Sequence, residues 1–197
     1  MVKKSKKILI VGDSFSSIWP GTTAGWPSLI ANDYIVTNLS QPGIGEYKIL
    51  KQLKNAPAER YDLTIVSHTS PSRIHTLNHP IHTSGFHQHC DLIYTDLENR
   101  WSLFNDNLKV SKKWFEYHYD DEYQIDIYNL IRAEIRRSIN GPYLSITHTE
   151  ISHNLTIEEN CINFSDVWKE HRGTINHYTE HGNQIVYKEI KEAIDSL

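Results

Sequence analysis

A chain of 197 residues with 39% hydrophobic and 22% charged positions has the composition of a protein with one ordinary core, not of a disordered polymer. Its 20 basic and 24 acidic side chains leave a net charge of −4, which offers no attractive field to a phosphate backbone and argues against nucleic acid as the partner. Lys3, Lys4, Lys6 and Lys7 precede an apolar run too short for a secretory leader or a membrane span, and Cys90 and Cys161 have no C-x-x-C spacing, so a reducing cytoplasm is the expected location.

In chain order, Lys7 to Val11 is a β-branched apolar run ended by Gly12-Asp13-Ser14, the pattern of a buried parallel strand. Residues 34–39 and 63–66 read as the next strands, each followed by loop-forming Gly, Ser, Thr or Pro. Helical spacing of Trp26, Leu29 and Ile30, and of Tyr47, Ile49, Leu50 and Leu53, fills the gaps, giving a β-α-β-α-β rhythm and hence a parallel sheet. Residues 68–112 break that rhythm and read as a long insertion over one end of the sheet. A helix then carries Ile127, Leu130, Ile131, Ile135 and Ile139 on one face and stops at Asn140-Gly141-Pro142. The Tyr- and Asp-rich stretch 117–128 reads as its solvated start, without chemistry. Residues 143–147 form a strand, and an amphipathic helix with Val186, Ile190, Ala193, Ile194 and Leu197 on one face begins near Thr179. The alternation predicts one α/β domain over 1–197, a three-layer α/β/α sandwich around a mostly parallel sheet of about five strands.

Ser14 falls where open α/β sheets bind ligands, beyond the carboxyl end of a strand, and is a candidate nucleophile. A neutral hydroxyl needs a base and oxyanion donors. His177, just before the last helix, is placed to return to the same sheet edge.

Ile10-Val11-Gly12-Asp13-Ser14-Phe15-Ser16 resembles the first block of the SGNH (GDSL-type) hydrolases, a family of flavodoxin-like topology. Asn38-Leu39-Ser40-Gln41-Pro42-Gly43 is similar to the second block, which implies that the Gly43 N–H serves an oxyanion, and Asn176-His177 resembles the fifth, which implies His177 as the base. Two positions depart from the pattern: Thr69 stands at the family's asparagine donor, and Thr174 stands three residues before the histidine where the family carries aspartate. The resemblance thus implies Ser14 with His177, and Ser14, Gly43 and Thr69 around the oxyanion. His177 is left either in a dyad or oriented by Asp166, by Glu170 or by a backbone carbonyl. His68, Ser70 and Arg73 are candidate substrate-binding residues, with Arg73 read either as holding a substrate carboxylate or as pairing with a surface acid. Asp13 is read as holding its turn. Trp19 and Trp26 flank the first loop, ready either to stack on a sugar or to pack.

His75, His79, His82, His87, His89 and Cys90 crowd the insertion. Their spacing among Pro, Thr and Ser offers no rigid element to pre-form a tetrahedral site, so they are read as lining a polar, carbohydrate-sized cleft or as solvated loop residues, and no metal is expected. No cofactor is required either. The expected activity is hydrolysis of a small O-acyl ester, on a small molecule or a carbohydrate, by an esterase or deacetylase. The alternatives are an O-acyltransferase using the same serine and a catalytically weakened domain that binds a glycan or partner.

Overall fold

The computed structural model describes residues 6–20, 25–58, 60–98, 105–154, 161–173 and 177–197. Thr174, Asn176, Lys3 and Lys4, and part of the insertion, lie outside the described residues. The order is β1 (Lys7–Gly12), α1 (Trp26–Ile30), β2 (Ile35–Asn38), α2 (Glu46–Lys54), β3 (Leu63–Ser67), a 3-10 turn (Gly85–His87), α3 (Tyr94–Leu97), α4 (Asp106–His118), α5 (Asp121–Ser138), β4 (Tyr143–Thr147), α6 (Glu150–Asn154), β5 (Cys161–Asn163), α7 (Ser165–Glu170) and α8 (Glu180–Ser196).

All strand pairings are parallel and the five strands lie in the order β2-β1-β3-β4-β5. This is the doubly wound order, with the chain reversing direction across the sheet between β1 and β3. The side-chain period of a strand divides the core accordingly. Ile8 and Ile10 face a layer made by Trp26 and Ile30 of α1 and Val186, Ile190 and Ile194 of α8, while Leu9 and Val11 face Ile49 and Leu50 of α2 and Ile135 and Ile139 at the end of α5. The predicted three-layer architecture is the one observed. Truncating one of these fully buried isoleucines to alanine costs about 2–5 kcal/mol.

Helix ends follow their local chemistry. The Asp120 carboxylate accepts the Tyr123 N–H at 2.8 Å, Asp121 and Glu122 occupy the first turn of α5, and Arg136 and Arg137 the last, matching the helix dipole at both ends. Thr179 caps α8 through the Gly182 N–H, so that helix begins where the sequence places it.

Three sequence expectations change. Residues 117–128 are not one helix start: α4 ends at His118 and Asp120 caps a separate α5, whose Tyr128 is buried. Leu130 is exposed, because α5 turns Tyr128, Arg132, Ile135 and Ile139 inward. The irregular stretch contains most of α4, whose few apolar side chains join Leu92 and Leu97 in a separate small core of Leu108 and Phe115. No helix among the described residues is long and apolar enough to cross a membrane.

Candidate active site

The sheet register places the site. Gly12 pairs with Ser67, so Ser14 and Thr69 each leave their strand two residues beyond the same rung, at the point where the chain winds apart. The Gln52 carboxamide of α2 grips Gly12 from the side: its Oε1 accepts the Gly12 N–H at 2.8 Å and its Nε2 donates to the Gly12 carbonyl at 3.2 Å. A side chain at position 12 has no room, since a Cβ would fall 2.5 Å from that of Ser67.

Beyond Gly12 the chain turns sharply. The Asp13 carbonyl accepts from Ser16 N and from the hydroxyls of Ser16 and Ser17, and Asp13 Oδ1 accepts the Phe15 N–H at 3.0 Å. Asp13 therefore does hold the turn that presents Ser14. Burial pushes its carboxyl up to about 6, against the opposing pull of Arg73 and of its hydrogen bonds.

Ser14, Gly43, Thr69 and His177 line one cavity of about 370 Å³ at this end of the sheet, with His68, Ser70 and Arg73. The predicted residues other than Asp166 thus come together. His177 lies between α7 and α8: its carbonyl accepts the Gly173 N–H, and the neighbouring Tyr178 forms an antiparallel bridge with Arg172. Its ring packs 4.3 Å from the Trp19 ring and 5.5 Å from Phe15, centre to centre. Trp19 also donates from its indole N–H to the Ser14 carbonyl at 2.9 Å, whereas Trp26 is fully buried and serves packing.

Gly43 adopts φ +71°, a left-handed conformation suited to glycine, and a Cβ there would lie 2.6 Å from that of Cys90. Its carbonyl accepts from Arg73 Nη1 at 2.9 Å and from Asp91 N at 2.8 Å, which fixes the orientation of the peptide.

Two expected roles change. Asp166, proposed to orient His177, has a side chain 87% exposed on the first turn of α7, faces Lys169 at 3.6 Å and does not line the cavity. The Thr69 hydroxyl, expected as an oxyanion donor, spends its proton on Asp13 Oδ2 at 2.9 Å and accepts from Arg73 Nε at 3.1 Å. A hydroxyl has one proton, so in this arrangement Thr69 shapes the site and does not serve the oxyanion. Among the described residues, the side-chain hydrogen bonds of Arg73 go to Thr69 and Gly43 and not to a surface acid. Its guanidinium spans Thr69 and Gly43 and brings positive charge to the cavity wall.

Sequence reasoning passed over two buried groups. The Glu46 carboxylate, at the first turn of α2, contacts His68 Nδ1 through Oε1 and accepts the Thr69 N–H through Oε2. His148, after β4, stacks on Phe15 with ring centres 4.5 Å apart and lies between Ser67 Oγ and the Tyr178 hydroxyl at 2.9 and 2.7 Å. Burial, with His177 and His68 nearby, lowers its imidazole to about 3, so it is a neutral ring at physiological pH. Glu46 carried a signal, being an acid directly after Gly-x-Gly at a helix start; His148 carried none beyond its place after a strand. Burial likewise pushes the Cys90 thiol up to about 11, which removes it as a nucleophile.

No family model matches the chain, and no curated protein matches it.

Proposed function

We propose that the chain is a serine esterase or deacetylase, resembling the SGNH type, that removes a small acyl group from an oxygen through an acyl-enzyme on Ser14. One observation carries the reading: Ser14, Gly43 and His177, from three separate segments, line a single cavity at the switch point of the sheet. Ser14 Oγ attacks the ester carbonyl while His177 takes its proton. The oxyanion is held by the N–H groups of Ser14 and Gly43, and the positive charge of Arg73 supports it from the wall. His177 then returns the proton to the leaving alcohol and draws one from the water that releases the acyl group. The cavity suits a small ester, including an acetylated sugar, and the free Cys90 and Cys161 fit a reducing compartment such as the cytoplasm.

A second assignment of the base rests on the Glu46 and His68 pair. A base in a serine triad is itself oriented by a carboxylate, and among the described residues His68 has such a partner while lining the cavity.

Intact-mass spectrometry after treatment with a small fluorophosphonate tests both. A single adduct on Ser14, absent from Ser14→Ala, supports an activated serine. A rate at least 100-fold slower in His177→Ala than in His68→Ala assigns His177 as the base, and the reverse order assigns His68. No adduct on the folded wild-type protein sinks the hydrolase reading and leaves a glycan- or partner-binding domain.

A further inference from the structure

We propose that His79, His82 and Cys90 form a binding site for a zinc-class divalent metal on the wall of the Ser14 cavity, with one coordination position open to that cavity. The three residues each bring a ligand atom within 4.8 Å of the others. In a tetrahedral zinc site, with bonds of about 2.0 Å to nitrogen and 2.3 Å to sulfur, neighbouring donors stand about 3.5 Å apart. Closing the difference requires the donor atoms to approach one another by about 1 Å.

The insertion that carries these residues is not loose where they sit. Ile74 and Leu92, which bracket the three residues within it, are bridged through paired hydrogen bonds of 2.8 and 3.0 Å. Asp91 is buried beside Cys90, takes the Gly45 and Thr76 N–H groups and faces Lys48 at 2.7 Å, which ties the segment to α2. Leu92, Leu97, Leu108 and Phe115 form the small core beneath. The sequence objection, that no rigid element pre-forms a site, is answered by contacts between residues far apart in the chain.

The surroundings of His79 resemble those of a metal ligand. Its side chain is fully buried, and its Nε2 lies 3.2 Å from Asp96 Oδ2, which also takes the Ile93 N–H at 3.0 Å. Metal-bound histidines commonly donate their second ring nitrogen to an anchored carboxylate, which leaves the lone pair on the other nitrogen for the metal. On His79 that lone pair is on Nδ1, which takes the N–H groups of Ile81 and His82 at 3.2 and 3.1 Å and exchanges them for the metal.

Donor chemistry selects the ion: two imidazoles and a thiol suit zinc and its soft neighbours, and disfavour magnesium or calcium. Binding forms two nitrogen–metal bonds and one sulfur–metal bond and releases the Cys90 thiol proton to solvent. His82 and Cys90 line the cavity and His79 lies behind them, so the fourth position faces the cavity, where a water or a substrate oxygen can occupy it. Cys90 also packs directly against Gly43, which places the metal beside the glycine assigned to the oxyanion. Three protein ligands with one open position is the pattern of catalytic rather than structural zinc. The site stands whether or not Ser14 is a nucleophile.

Cobalt titration of the full chain, read by tetrahedral ligand-field absorption and the thiolate-to-cobalt charge-transfer band, tests it, with zinc stoichiometry from native mass spectrometry. The expected result is one metal per chain. Cys90→Ser loses the charge-transfer band, His82→Ala binds at least tenfold more weakly, and Asp96→Asn weakens binding about 10–100-fold without removing a ligand. Ser14→Ala binds cobalt as the wild type does, so a failed fluorophosphonate reaction and a failed metal site are separate outcomes. Folded wild-type protein that takes up neither cobalt nor zinc, or Cys90→Ser and His82→Ala proteins that bind like the wild type, would overturn the proposal.

Discussion

The Thr69 hydroxyl donates to Asp13 Oδ2 across 2.9 Å, joining residues just beyond the ends of β3 and β1. Both are buried, and Arg73 donates to the same hydroxyl, so the three side chains form one network beneath Ser14. Removing its centre leaves a buried carboxylate oxygen without that donor. Thr69→Val is therefore expected to cost about 1–3 kcal/mol, read by urea unfolding, while Thr69→Ser keeps the hydroxyl and most of the stability. Equal stability of the valine and threonine proteins would mean that the network contributes nothing.

Asp166 gives the opposite expectation. With its side chain 87% exposed and away from the cavity, Asp166→Ala should leave fluorophosphonate labelling of Ser14 within about twofold of wild type and stability within about 0.5 kcal/mol. A triad acid, by contrast, is worth about 10⁴ in turnover in serine proteases. A loss approaching that size would return Asp166 to the site.

The clamp of Gln52 on Gly12 needs both an acceptor and a donor. Gln52→Glu keeps the acceptor but sets a carboxylate against the Gly12 carbonyl. The variant should lose about 1–3 kcal/mol at neutral pH, with part of the loss recovered in acid as the carboxyl regains a proton to donate. Thermal melts at pH 7 and pH 5 read this directly, and a deficit independent of pH would count against the donor role.

Asp13 and His148 oppose each other in their effect on stability with pH. Burial raises Asp13 from 3.8 to about 6, so between these values the folded state binds the extra proton and acidification stabilises it. Burial lowers His148 from 6.5 to about 3, so over that range the unfolded state binds the extra proton and acidification destabilises the fold. The two slopes, each about 1.4 kcal/mol per pH unit, cancel between pH 3.8 and 6. Asp13→Asn removes one of them, and its stability relative to wild type should fall by about 1.4 kcal/mol for each unit of acidification in that window. Urea unfolding at pH 4, 5 and 6 measures the difference, and a constant difference would show that Asp13 is not titrating there.

Local pattern was enough for the sheet and for the cavity-lining residues with short-range signatures. The apolar runs at 7–11 and 63–66 could be buried only as parallel strands with helices between, and the glycine and turn residues that end them place Ser14 and Thr69 at the same edge. Capping residues such as Thr179 fixed where α8 begins, because a cap acts within a few residues along the chain. Partnership was beyond that reach. Whether Thr69 could spare its proton depended on Asp13, 56 positions earlier, and whether His68 had a carboxylate depended on Glu46. His79 and His82 met Cys90 because a bridge between Ile74 and Leu92 folds the insertion back on itself. Hydrophobic periodicity is written locally and decides which face is buried. The pairing of protons, charges and lone pairs is decided by which distant segments the buried faces bring into contact.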